Sequence, residues 1–397
     1  MKKKIIFMII NMNVGGTEKA LLNMISEMPK DKFDISILLL EEYGDFQDSI
    51  PDYVHVEYLQ GYNQIKDIIN QPLHLTVIKL LKSGMWIKAI NFMCLLFYTK
   101  IIGEKSPFIK YVLKDFPSFK TEYDIAVAYA GPMELISYYV INKIKSKQKV
   151  QWIHFDVTKI GFNKSFATKI YKKFDRIFVV SYEAKIKLIN LLPEISKKVE
   201  VFFNIVPSDL IKEYAKRGSG FKDDFDGLRI LTIGRLSKEK GQDIAIRAFS
   251  QLINDGYNIR WYCLGEGNSR KEYEKLIIEN KLEDKFILLG SDTNPYPYLE
   301  QCDIYVQPSR YEGYCITLIE AKQFFKPIVT TNVNGANEQI SNGKTGLIVN
   351  IDENEIYLAL KKLIENKFLR SNFSSTLAKE NYGTSREMNK LFNILEG

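Results

Sequence analysis

Short apolar runs closed by turn residues alternate with amphipathic stretches along almost the whole chain, and the alternation stops once and then begins again. KKKIIFMIINMNVGGTEKALLNMI, near the start, reads as strand, glycine turn and helix. FDISILLLEE, YDIAVAYAGP, KVQWIHFD, FDRIFVVSYEAKIKLI and KVEVFFNIVP continue the rhythm. KRGSGFKDDFDG then shifts the composition abruptly to Gly, Lys and Asp, which marks a linker. After it come LRILTIGRL, IRWYCLGEG, KFILLGS, CDIYVQPS, PIVTT and TGLIVN, with helical stretches between most of them. Runs that are apolar without alternating are strands buried on both faces, as in a parallel sheet. Each parallel pair needs a crossover, usually a helix. Two such sets in succession specify an α/β chain of two Rossmann-like, doubly wound domains facing across a cleft. The first spans 1–206 and the second 207–380.

Size and composition agree with two cores: the chain has 397 residues, 46% of them hydrophobic. A net charge of +7 suits an anionic substrate or a membrane face and is too small for a nucleic-acid-binding arm. Cys94, Cys263, Cys302 and Cys315 lie far apart, with neither metal nor disulfide spacing, so a reduced, cytoplasmic setting is expected. IIFMII is too short for a signal peptide and reads as a buried first strand.

Residues 72–114 break the rhythm. VIKLLKSGMWIKAINFMCLLFYTKIIG is apolar with a lysine every few residues, and Lys88 and Lys100 interrupt what would otherwise approach a spanning length. The segment is expected to be a helical insertion on the first domain. The same pattern is what an interfacial surface for a bilayer or a lipid-linked acceptor would show.

Three loops hold candidate chemistry. Gly15 and Gly16 lie between a strand and a helix, where backbone N–H groups face a phosphate or sugar oxygen, although a plain tight turn uses the same pair. In TIGRLSKEKG, Gly234 ends a strand and Arg235 and Lys240 stand at its carboxyl edge. They are placed to hold a diphosphate, or else are solvated loop charges. In CDIYVQPSRYEGYCITLIEA, Glu312 is in the loop after a strand and Glu320 in the second turn of the following helix. At about 1.5 Å per residue the two carboxylates stand on the order of 10 Å apart along that axis. Retaining glycosidases need about 5–5.5 Å and inverting ones reach about 9.5 Å, so a pair of hydroxyl clamps with an anion seat between them fits better than a hydrolytic pair, although two unrelated surface acids would show the same spacing. DDFD, at 223–226, contains an Asp-x-Asp pattern but falls in the linker and reads as a solvated charge run. No other cluster has metal-site spacing, so a metal-independent reaction is expected, with no cofactor.

GRLSKEKG, EGYCITLIEA and GANEQISNGKTGLIV, together with GGTEK near the start, resemble the family-4 retaining glycosyltransferases of the GT-B fold. The resemblance covers nearly the whole chain and is most specific from Gly234 to Val349. It implies that Gly16, with Gly15, lies against the donor's phosphates and sugar, and that Arg235 and Lys240 neutralise the diphosphate. Glu312 would hold hydroxyls of the transferred sugar and Glu320 those of the ribose. The amides of Cys315 and Ile316 would meet the phosphates, and Gly234, Gly290, Gly313, Tyr314 and Thr317 complete the implied donor contacts. His154 would reach the donor sugar at the reaction centre, whereas on its own a lone histidine reads as structural. Asn204 ends the first domain's last strand, and the final helix, 381–397, returns to the first domain. Two positions depart from the pattern: Asn337 stands where many relatives have Pro, and Cys315 where many have Gly.

The resemblance therefore implies a retaining sugar transfer from a nucleotide-diphosphate donor, a UDP-sugar first of all. The acceptor would be a cell-surface glycan or lipid-linked molecule at the inner face of the membrane. A nucleotide-sugar epimerase would turn over donor without acceptor. A non-catalytic partner subunit would lack the cations or the glutamates, and this chain has all four.

Overall fold

The computed structural model describes residues 2–70, 73–159, 161–380 and 384–396. Among the described residues thirteen strands form two sheets, every adjacent pair parallel. The first holds β1 (Lys3–Ile9), β2 (Phe33–Leu39), β3 (His55–Tyr58), β4 (Glu122–Gly131), β5 (Lys145–Ile153), β6 (Arg176–Val179) and β7 (Val199–Val201), ordered β3-β2-β1-β4-β5-β6-β7. The second holds β8 (Leu228–Ile233), β9 (Ile259–Leu264), β10 (Phe286–Gly290), β11 (Ile304–Gln307), β12 (Ile328–Thr331) and β13 (Gly346–Val349), ordered β10-β9-β8-β11-β12-β13. Strand order reverses beside β1 and beside β8, where doubly wound sheets open a crevice. Ile5 to Ile9 are fully buried on both faces of β1, which is why that run does not alternate.

Between β3 and β4 the chain forms the helices Tyr62–Asn70, Leu73–Lys82, Trp86–Ile102 and Ser106–Val112. Ala89 and Phe92 of the long helix are buried, while Trp86, Ile87, Ile90, Met93, Phe97, Tyr98 and Ile101 are exposed. Among the described residues no helix is long and apolar enough to cross a membrane.

The segment read as a linker is structured. Lys216 and Arg217 end the helix Ser208–Arg217, whose Ile211 and Ala215 are buried. Asp223 is no solvated charge: it pairs with Arg229 at 2.8 Å and Arg260 at 3.2 Å, and accepts from the Tyr262 hydroxyl at 2.6 Å. Two arginines on adjacent strands need a counter-charge, and hydrogen bonds from Tyr262 and Arg229 outweigh burial to hold Asp223 down at about 2.

At the far end, the helix Met388–Glu396 lies on the first lobe. Met388 and Leu391 join its core, Phe392 stacks on Phe33 at 5.4 Å, and Lys390 donates to the Val201 carbonyl at 2.7 Å. Where the chain leaves the first lobe, the Val206 N–H donates to Thr384 Oγ1 at 2.7 Å.

Candidate active site

The carboxyl ends of β8 and β11 meet at one charged knot. Lys240 Nζ donates to both oxygens of Glu312, at 2.7 and 2.9 Å. Ser309 Oγ and Gln307 Nε2 also donate to Glu312 Oε1, at 2.6 and 3.3 Å. Gln307 is fixed in turn by the Tyr305 hydroxyl and by Thr317 Oγ1, which both donate to its Oε1, at 2.6 and 3.1 Å. Burial opposes the charge on Lys240, but the Glu312 carboxylate outweighs it and holds the ammonium above its ordinary range.

The turn that delivers Lys240 is shaped by Gly241. Its φ is +71°, and a Cβ there would overlap the Pro308 carbonyl oxygen, so β8 and β11 approach closely only with glycine. Arg310 clamps the same turn, its guanidinium bidentate on Asp243 at 2.7 Å for each nitrogen. Gln242 is buried beneath, donating to the Arg235 carbonyl at 2.9 Å. Arg235 itself keeps 59% of its side chain exposed, 3.5 Å from Glu239. Gly234 lies under the Lys240 stem, and Gly290, at the end of edge strand β10, meets Leu264 and Gly265 at the end of β9.

The helix Ile316–Gln323 starts at its cap Cys315, a buried thiol pushed up to about 12 by burial with Glu312 adding to it. Glu320 is buried in the second turn and accepts from the Tyr296 hydroxyl at 2.9 Å. Burial raises its pKa, while Lys19 of the first lobe and Tyr296 pull it back. Lys19 Nζ lies 4.6 Å over the Tyr296 ring, so a cation from one lobe reaches the far glutamate of the other.

The lobes touch around the knot. A Cβ on Gly313 would overlap the His154 carbonyl oxygen, and one on Gly16 would lie 3.7 Å from Ile316 Cγ2. Asn204 donates to the Tyr314 carbonyl at 3.4 Å, and Tyr314 packs on Phe203 at 5.4 Å. His154 is buried, its ring 4.5 Å from that of Tyr129, with a hydrogen bond to the Tyr129 backbone. Burial pushes it down to about 3, so the imidazole is neutral, and its Nε2 has no hydrogen-bond partner among the described residues. Glu18 folds back over Gly15, where a Cβ would overlap its carboxylate. Burial lifts Glu18 to about 7, against its own N–H and the nearby Arg235.

Several residues here escaped the sequence reading. Glu338 of the second lobe accepts the N–H groups of Tyr182 and Glu183, at 3.0 and 2.9 Å, at the start of the helix Tyr182–Leu191. Asp156 accepts from Lys187 at 3.0 Å and from Asn334 at 2.7 Å, and Lys187 also donates to Asn334. Only the acidic residue beside Asn337 carried any signal, through its place in GANEQ. Among the described residues no group of three or more His, Cys, Asp or Glu side chains is placed to share a metal ion.

Comparison with known proteins gives the setting for this geometry. Residues 221–380 match the family described as Glycosyl transferases group 1. The N-acetylgalactosamine-N,N'-diacetylbacillosaminyl-diphospho-undecaprenol 4-alpha-N-acetylgalactosaminyltransferase of Campylobacter jejuni is 33% identical over 215 residues, 54% of this chain and 57% of that one. The capsular polysaccharide biosynthesis glycosyltransferase CapM of Staphylococcus aureus is 31% identical over 149 residues, 36% of this chain and 39% of that one. The chain thus spans about half the length of the curated relatives it matches. Among solved structures, HepE of Anabaena in complex with UDP and glucose superposes with a TM-score of 0.71 at 17% identity, covering 99% of each chain. TarM of S. aureus, in a complex containing UDP, gives 0.70 at 15% identity over 100% of each. The chain therefore has the two-lobed GT-B fold, and it is related to glycosyltransferases, bacterial polysaccharide-building enzymes among them.

Proposed function

We propose that the chain is a metal-independent, retaining glycosyltransferase of the family-4 type that moves a sugar from a UDP-sugar to an acceptor hydroxyl. The Lys240–Glu312 knot carries this reading: a cation and a carboxylate locked together at the carboxyl edge of the second sheet, with Gly313 pressed on His154 of the first. HepE and TarM, which share the fold, are complexed with UDP in the same kind of two-lobed frame.

In this scheme the diphosphate sits among Arg235, Lys240 and the amides at Cys315 and Ile316, which stabilise the charge that grows as the C1–oxygen bond breaks. Glu312 anchors hydroxyls of the sugar and Glu320 those of the ribose. The neutral His154 offers its Nε2 to the sugar. The acceptor oxygen forms the new bond on the face the diphosphate leaves, and its proton passes to a phosphate oxygen, so retention needs no enzyme nucleophile.

The acceptor is a lipid-linked or cell-surface glycan met at the inner membrane face. The Campylobacter relative acts on a diphospho-undecaprenol-linked sugar. Residues 73–114 of this chain hold seven lysines and one acidic residue, Glu104, around the exposed apolar side of the helix Trp86–Ile102. A screen of nucleotide sugars for release of UDP, with and without acceptor, tests the donor class. Turnover of donor to an isomer without acceptor would replace the transferase reading by an epimerase. Flotation with anionic vesicles tests the membrane face, and failure to float would remove it.

A further inference from the structure

The helix Trp86–Ile102 is apolar on both sides, and its inner side does not close fully on the first lobe. Between it and the start of the helix Glu134–Lys143 lies a cavity of about 540 Å³, within the roughly 300–1,000 Å³ of small-molecule sites. Ile69, Leu96, Phe108, Val112, Met133 and Leu135 supply its apolar wall. At its polar end Glu134 Oε2 pairs with Lys105 at 3.1 Å, and Glu104 pairs with Lys169 at 3.1 Å. Glu134 Oε1 is buried with no hydrogen-bond partner among the described residues. A buried carboxylate oxygen without a donor costs free energy that a ligand's hydroxyl or amide would recover.

Position ties the cavity to the cleft. Met133 and Glu134 follow directly on β4, whose Gly131 carbonyl accepts the His154 N–H at 3.2 Å. Asn163, another lining residue, caps the helix Lys164–Tyr171 after the loop that carries His154. The cavity thus lies behind the two loops that end at the reaction centre, and the same long helix turns its exposed apolar side to solvent among lysines.

We infer that this cavity holds the lipid-proximal part of the acceptor, with hydrocarbon against the apolar wall and a head-group hydroxyl or amide donating to Glu134 Oε1. The inference rests on the lipid-linked acceptor proposed above. A chain seated there fixes how far the head group extends towards His154, so the cavity would measure out the acceptor as well as bind it.

The probe is a decyl glucoside carrying a diazirine on its alkyl chain, photolysed with the full-length protein below the concentration at which it forms micelles. Labelling is expected at Leu96, Phe108 or Met133. Leu96→Trp fills the cavity and is expected to cut that labelling about tenfold, a loss of about 1.4 kcal/mol of binding. Leu96→Ala enlarges it and should keep the labelling, and melting curves for both variants show that each is folded. Label confined to the outer residues Ile87, Phe97 and Ile101, or labelling untouched by a folded Leu96→Trp protein, overturns the inference. Release of UDP from donor by the wild-type protein is read separately. Release with only outer labelling retires the cavity and keeps the transferase, whereas labelling of the cavity without release does the reverse.

Discussion

Glu312→Gln, combined with Lys240→Met, tests whether the knot acts as one unit. In the wild-type protein the Lys240 side chain is 20% exposed and that of Glu312 8%. Gln at 312 keeps an oxygen for Lys240 but loses the charge, and its amide nitrogen faces the Gln307 amide that donated to the carboxylate. A hydrogen bond to a charged group contributes about 1.5–3 kcal/mol, and stranding one member of a buried pair costs about 3–5 kcal/mol. Because water still reaches a fifth of Lys240, the lower end applies, about 2 kcal/mol. For a unit of 150–250 residues each kcal/mol moves Tm by about 2–4 °C, so Glu312→Gln should lower Tm by about 4–8 °C. Lys240→Met should cost a similar amount. The double variant should cost little more than either, a coupling of about 2 kcal/mol. The assay is thermal unfolding of the four proteins without nucleotide, alongside calorimetric titration with UDP, whose binding each single change should also weaken. If the Tm losses of the single variants simply add, the two side chains are not one unit and the reasoning fails.

Three further outcomes follow from the same geometry. Glu18, lifted to about 7, carries its charge against the glycine loop only above that pH. Its folded pKa lies above the ordinary 4.5, so stability falls as pH rises from 4.5 through about 7 and UDP affinity should weaken over the upper part of that window. Glu18→Gln should flatten both profiles in melting and calorimetric titration, and an unchanged slope would exclude Glu18. Asp156 is held down at about 2 by Thr158, Lys187 and Asn334 against its burial, so its contribution is complete above 3.8 and fades as pH falls through about 2. Asp156→Asn should cost about 2 kcal/mol near neutral pH and only about 0.4 kcal/mol at pH 2, read by denaturant unfolding at both. The chain has three histidines, so the imidazole of His154 can be followed by NMR. It should show no titration between about pH 5 and 8, and a midpoint in that range would contradict its burial.

The strands were legible because burial on both faces writes them as unbroken apolar runs. β3 was not: His55 to Tyr58 alternates exposed and half-buried residues at a sheet edge, and its composition matches a loop's. The loops of the site were legible through TIGRLSKEKG and EGYCITLIEA, and the structure shows Gly241 and Gly313 in them where a side chain would strike backbone. The partners of those loops were not. Lys240 and Glu312 each read as a ligand for substrate, and nothing in their spacing of 72 positions says that they bind each other. Glu338 capping a helix 155 residues earlier depends on how the lobes meet, which no local pattern encodes. Asp223 was misread because a run of acids looks solvated until the arginines on neighbouring strands are known.

The Val206–Thr384 hydrogen bond sets the kind of motion the molecule can make. The chain crosses from the first lobe to the second just after Val206 and is back on the first by Thr384, and the two crossings are fastened side by side. A single tether would let the lobes swivel about many axes, whereas a fastened pair acts as a door hinge with one line of rotation. A rotation about the line through the paired crossings is thereby favoured over other swivels, and Gly313 against His154 is the contact such a rotation would part first.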